Sequence, residues 1–171
     1  LIVEILKNYK SKVTIYIPCY AFSAGTMLAL CGDEIYMNDY SMMGPVDPQL
    51  TYNIDDKGYD DTSSQCLLKL IKEKEDVDDQ LYLKALESKF LHDDNMNNLR
   101  SILDEKNINL TKKKRKKLLT ELGSGKYPHH KPFSVKKIKN LGIDIKVPVP
   151  NDINILFNEF IDYKNNINQK P

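Results

Sequence analysis

Apolar positions recur first at a helical period and then at a strand-like one. In residues 1–10, Ile2, Val3, Ile5, Leu6 and Tyr9 follow spacings of three and four, which predicts the end of an amphipathic helix. Residues 13–17 (VTIYI) are β-branched, aromatic or apolar at nearly every position, the pattern of an inner strand covered on both faces. Pro18 ends that strand because it has no N–H to donate. Residues 24–31 are small and apolar, suited to a buried helix, with Gly32 placed to cap its C-terminus. Residues 34–38 (EIYMN) predict the next strand. Strand, short helix and strand in so short a span make a βαβ unit, normally a right-handed crossover between parallel strands.

Beyond residue 40 the periodicity breaks. Residues 41–50 (SMMGPVDPQL) carry Gly44, Pro45 and Pro48, which predicts an extended or turning segment and not the interior of an element. Residues 53–61 are polar and acidic and predict a surface loop. Thr62 and Gln65 have the spacing of a capping box for a helix carrying Cys66, Leu67, Leu70 and Ile71 on one side. Asp78 and Asp79 open another helix through about residue 91, and residues 92–106 are helix-compatible but rich in asparagine. Thr111 is placed to cap a basic helix ending at Gly123, and Ser134 a short helix ending near Gly142, with a glycine- and proline-rich loop (GSGKYPHHKPF) between them. Residues 143–149 predict a last edge strand interrupted by Pro148. Residues 152–163 return to helical spacing, a stripe suited to core packing or to an interface. The polar residues 164–171 predict a disordered tail. With 171 residues the chain can bury one sizeable core, so residues 1–163 are expected to form a single domain.

Composition narrows the function classes. Lysine and arginine (25) nearly balance aspartate and glutamate (24), so no global field points to nucleic acid or an anionic membrane. Cys19, Cys31 and Cys66 are widely spaced, odd in number and without a CxxC pair, which predicts buried free thiols in a reducing compartment. No apolar run approaches the roughly 18 residues of a membrane span. The chain begins in mid-pattern at Leu1, so a further segment upstream is expected, and membrane association is expected only through such a segment.

The candidate chemistry centres on Ser23, set between the first strand and its helix. Ala21-Phe22-Ser23-Ala24-Gly25 follows the G-x-S-x-G elbow with alanine at the first glycine. Such a turn exposes Oγ, and the N–H groups at the start of the helix can stabilise an oxyanion. The plainer reading is that Ser23 caps the helix. A nucleophile needs a base. At about 100° per residue Leu67, Leu70, Ile71 and Lys74 share a stripe, so Lys74 is the lysine predicted to face the core, where desolvation favours a neutral amine; near the helix end it can equally reach water. His129 and His130, in a Pro-His-His-Lys-Pro loop, are the alternative base or plain loop residues. No metal is predicted, because no further His/Cys cluster has ligand spacing. The basic run at residues 112–117 lacks interleaved aromatic residues and is explained by a solvated helix face, so no nucleic-acid partner is expected.

Residues 17–26 (IPCYAFSAGT), Ala29-Leu30, Asp33-Glu34-Ile35 and above all residues 43–50 (MGPVDPQL) resemble the serine dehydrogenase proteinase family. That family belongs to the Clp protease/crotonase-like superfamily and is similar to signal peptide peptidase A. The likeness continues to about Asp144, with Ile138 where a small residue is usual and His130 where the family tends to have an acid. The resemblance implies a crotonase-like α/β fold of repeated ββα units, a parallel sheet flanked by helices, truncated here at its N-terminus. It implies a serine peptidase acting on polypeptides without a cofactor, with Ser23 as nucleophile, Lys74 as general base, the Ala24 N–H in the oxyanion hole and His129 as a second candidate base. Gly44, Pro45 and Asp47 become candidates for the substrate groove. A second oxyanion donor is expected from a glycine-rich turn upstream of Leu1, which leaves the hole half built here. Homo-oligomers and a cytoplasmic location, or membrane association of the full-length protein, are also implied. The rival class is a non-catalytic crotonase-like scaffold.

Overall fold

The βαβ unit read from residues 13–38 is present in the computed structural model, which describes residues 2–53, 59–74, 76–106, 108 and 110–168. Helix α1 (Ile2–Asn8) precedes strand β1 (Thr14–Ile17), a two-residue strand β2 (Tyr20–Ala21), helix α2 (Ala24–Leu30) and strand β3 (Glu34–Met37). Strands β1 and β3 run parallel, with Ile15 opposite Ile35 and Ile17 opposite Met37. Ile17, Ile35 and Met37 enter a core shared with Leu30, Leu99, Leu122 and Ile138. Burying one such aliphatic side chain contributes about 1.5–3 kcal/mol.

Strand β4 (Met42–Met43) is followed by β5 (Gln49–Asn53), β6 (Tyr59–Ser63), helix α3 (Ser64–Glu73) and helix α4 (Asp79–Glu105). Helix α5 (Lys112–Gly123), strand β7 (Phe133–Ser134), helix α6 (Val135–Leu141) and helix α7 (Asn151–Asn168) complete the order. The caps follow sequence chemistry. Asp78 accepts from Leu81 N–H, Thr111 from Lys114 N–H and Ser134 from Lys137 N–H, and Gly142 ends α6 at φ 101°. For α3 the cap is Ser63, one residue after the expected Thr62.

Several expectations are corrected. Residues 49–53 and 59–63 pair as antiparallel strands, so the loop expected at 53–61 is in part strand; residues 54–58 lie outside the described residues. The asparagine-rich stretch belongs to one 27-residue helix. The predicted edge strand at 143–149 shrinks to a single parallel bridge between Lys146 and Tyr36, since Pro148 cannot extend the ladder. Helix α7 continues to Asn168, beyond the predicted start of the tail at residue 164. Its apolar stripe is exposed, Leu156 at 62% and Phe160 at 55%, so it is not core. Asn38 Nδ2 donates to Asn154 Oδ1 (2.8 Å) and holds the first turn of α7 on the end of β3. Only Cys31 is buried; Cys19 and Cys66 are exposed. No helix among the described residues is long and apolar enough to cross a membrane.

The arrangement is a mixed α/β fold with small sheets. One of them positions the chemistry: β2 and β4 are parallel, and β7 pairs antiparallel with β4, placing Phe133 opposite Met43. Three segments distant in sequence therefore meet at one end of this sheet. They are the residues after β2 (Phe22, Ser23), the residues after β4 (44–47) and the loop before β7 (128–132).

Candidate active site

Ser23 joins β2 to α2 with φ 52° and ψ −124°, and it is the only non-glycine residue of positive φ among the described residues. A side chain there costs on the order of 1–3 kcal/mol of backbone strain. The serine nevertheless does not cap its helix: its side chain makes no capping bond, which removes the plainer reading. The turn is held from below. Ser23 N–H donates to Pro45 O (3.0 Å), and Gly44 N–H to Ala21 O (2.9 Å). The fully buried Thr26 hydroxyl lies 2.7 Å from Ala21 O and 2.9 Å from Gly44 O, tying α2 to both strand ends. Phe22 packs over Gly44, where a Cβ would stand 1.7 Å from the Phe22 ring, so only glycine admits it.

Ala24 is exposed and occupies the first position of α2, where a backbone N–H has no intrahelical acceptor. It is therefore available to a developing negative charge. Ser23 N–H is already bonded to Pro45 and is not.

Asp47 is completely buried two residues beyond Pro45. Its Oδ1 lies 3.1 Å from His129 Nδ1, and its Oδ2 accepts from Gln49 Nε2 (2.9 Å). A carboxylate only accepts, so the His129 nitrogen facing it is the donor, and in the neutral ring that leaves the lone pair on Nε2. Asp47 thus turns toward His129 and does not line an open groove; Gly44 and Pro45 are buried as well. His129 sits in a tight turn closed by Lys131 N–H to Pro128 O (2.9 Å). The turn is braced by the largely buried Glu121, which accepts from Lys126 Nζ (2.7 Å) and Tyr127 OH (3.0 Å) and pairs with Lys137. Those bonds, Lys126 and Lys137 foremost, hold the Glu121 carboxyl well down, at about 2, against the opposing effect of burial. Among the described residues Ser23 Oγ makes no hydrogen bond with His129; such bonds often close only around substrate.

Lys74 is not on the buried face. Helix α3 ends at Glu73, and Lys74 takes extended angles (φ −103°, ψ 125°), so its side chain leaves the stripe that helical spacing assigned to it and is exposed. His130 is exposed beside His129. Within the basic run on α5, Arg115 pairs with Asp104 (2.8 Å). No group of three His, Cys, Asp or Glu side chains among the described residues is placed to hold a metal ion. The pairing of His129 with Asp47 is what sequence reasoning missed. The two residues are 82 apart and are brought together by the β4–β7 register and by the bond from Val46 N–H to Leu122 O (2.8 Å), neither of which the spacing of either residue signals.

"Uncharacterized protein MJ0137" of Methanocaldococcus jannaschii is 30% identical over 154 residues, 89% of this chain and 50% of that protein. "Uncharacterized protein MJ1495" of the same organism is 32% identical over 148 residues, 86% of this chain and 47% of that protein. The chain spans about half the length of these relatives. No solved structure matches it. The profile of a protein family matches residues 1–171 from end to end, and by that match the chain belongs to the ClpP-like SDH-type serine proteinase family.

Proposed function

We propose that this chain carries the catalytic centre of a serine peptidase of ClpP/crotonase fold, with Ser23 as nucleophile, His129 as general base and Asp47 as the group that orients it. The observation that carries the reading is one connected path. The Ser23 N–H is bonded to Pro45, Pro45 stands two residues before Asp47, and Asp47 is bonded to His129. Two residues of extended chain span at most about 7 Å, which supports the reading that Ser23 and the His129–Asp47 pair belong to one neighbourhood.

The chemistry follows from the placement. His129 Nε2 takes the Ser23 hydroxyl proton as Oγ attacks a peptide carbonyl carbon. The tetrahedral oxyanion faces the Ala24 N–H at the positive end of α2. Collapse breaks the C–N bond, and His129 returns the proton to the departing amine. A water molecule, deprotonated by the same imidazole, then hydrolyses the acyl-enzyme. The buried Asp47 stabilises the imidazolium while it lasts. Lys74, exposed at the end of α3, is the second candidate for the base, and the bonded His129–Asp47 pair favours the histidine.

A fluorophosphonate probe on the intact protein tests the reading. The expected result is covalent labelling at Ser23 that disappears in Ser23→Ala and falls sharply in His129→Ala but not in Lys74→Ala. An unlabelled Ser23 would leave the non-catalytic scaffold as the better description.

A further inference from the structure

Three buried polar atoms make no hydrogen bond among the described residues: Ser64 Oγ, Ser88 Oγ and His92 Nδ1. Each such atom costs roughly 1–3 kcal/mol, so three in one helix pair ask for a reason. Ser88 and His92 lie one turn apart on the same face of α4. His92 also borders a cavity of about 380 Å³ between α3 and α4, together with Gln65, Leu68, Ile71, Leu86 and Lys89.

Both neighbours of Asp47 in the chain are held by this helix pair. Asn95 Nδ2, three residues beyond His92 on α4, donates to Val46 O (2.6 Å). Ser64 N–H, at the start of α3, donates to Pro48 O (3.0 Å). Asn95 and His92 share one face of α4, so that face packs on the chain that carries Asp47, whose second carboxylate oxygen accepts from Gln49. The charges acting on His92 are Asp47 from the segment after β4 and Asp93 and Arg100 from α4; Lys89 of α4 and Lys72 of α3 line the same cavity. Burial is the largest influence and pushes the imidazole below its ordinary value, while Asp93 and Asp47 oppose it less strongly.

We propose that His92 is a positioning residue for the His129–Asp47 pair: uncharged, it leaves the carboxylate to His129, and protonated, it competes for that carboxylate and frees His129 from its orienting bond. The proposal rests on the reading of Ser23, His129 and Asp47 as the catalytic set. No bond to substrate is involved; the step is a proton gained from or lost to solvent by His92.

Two measurements on the intact protein test it. In a Ser23→Ala background, the His92 ring-proton resonance is followed against pH by NMR, with and without Asp47→Asn. Loss of the carboxylate is expected to move the His92 midpoint down by about half a pH unit or more. An unmoved midpoint overturns the proposal. In the active protein, the acid limb of kcat/KM is expected to fall with a limiting slope of about two per pH unit, because two imidazoles must be neutral, and with a slope of about one in His92→Asn. A slope unchanged by the substitution overturns it as well. Failure of the catalytic reading looks different: Ser23 stays unlabelled by the probe while the His92 midpoint still follows Asp47.

Discussion

The Ser23 N–H donates to the Pro45 carbonyl at 3.0 Å, across 22 residues of chain, and ties the serine, at φ 52°, to the segment after β4. Glycine reaches φ 52° without the steric penalty that serine meets there. Ser23→Gly is therefore expected to abolish probe labelling and yet to raise stability, by about 1 kcal/mol once the greater entropy of an unfolded glycine is allowed for. Urea denaturation checks this. A less stable Ser23→Gly protein would mean that the turn is not strained.

Asp47 is fully buried and bonded to Nδ1 of His129, so its replacement by asparagine offers the ring an amide in place of an acceptor-only carboxylate. The imidazole can then take the wrong tautomer, with Nε2 protonated and unable to accept from Ser23. In comparable triads this substitution lowers kcat by about 10⁴-fold with little change in geometry. Asp47→Asn is expected to show a loss of that order in peptide hydrolysis while its circular dichroism is kept. Retention of more than a tenth of the activity would argue for Lys74 as the base.

The legible part of this molecule was its large-period pattern. Thr14 to Ile17 and Glu34 to Met37 are strands because unbroken apolar sequence needs cover on both faces, and the caps at Thr111 and Ser134 follow from side-chain oxygens placed three residues before free N–H groups. The site was only half legible. Ser23 stood out by its neighbours, but β2, β4 and β7 are two residues each, too short for any periodicity, and Pro18, Gly44 and Pro45 mask them as turn. Their pairing, with the bond from Val46 N–H to Leu122 O, brings His129 to Asp47. Lys74 misled for a related reason: a helical wheel assumes that the helix continues, and α3 stops one residue earlier.

Gly44 has a packing role that a substitution exposes. A Cβ at this position would lie 1.7 Å from Phe22 Cδ1, while Phe22 also rests against Tyr20 with ring centroids 5.7 Å apart. Gly44→Ala is expected to cost about 1–3 kcal/mol as the ring is forced aside, and to slow acylation because Phe22 adjoins Ser23. Phe22→Leu in the same chain should recover part of the stability. A double-mutant cycle in urea measures the coupling, and strictly additive effects would refute the contact.

Glu121 sets an acid limit on the His129 turn. Its carboxyl is held at about 2, chiefly by Lys126 and then Lys137, from an ordinary value of 4.5. Because the folded value lies below the unfolded one, the stability it contributes is complete above about pH 4.5 and is lost as pH falls toward 2. Glu121→Gln removes this dependence, so its unfolding free energy is expected to decline less steeply than that of the parent across that window. At neutral pH the variant should be less stable by about 1–2 kcal/mol, a range kept modest because both lysines are partly exposed and screened. Since Lys126 and Tyr127 are two of the residues leading into the Pro128–Lys131 turn, the same change should loosen His129 and lower kcat more than it raises KM. Parallel pH series of urea denaturation separate the two effects. Equal slopes for parent and variant between pH 4.5 and 2 would show that Glu121 is not the group that ties this turn to α5 and α6.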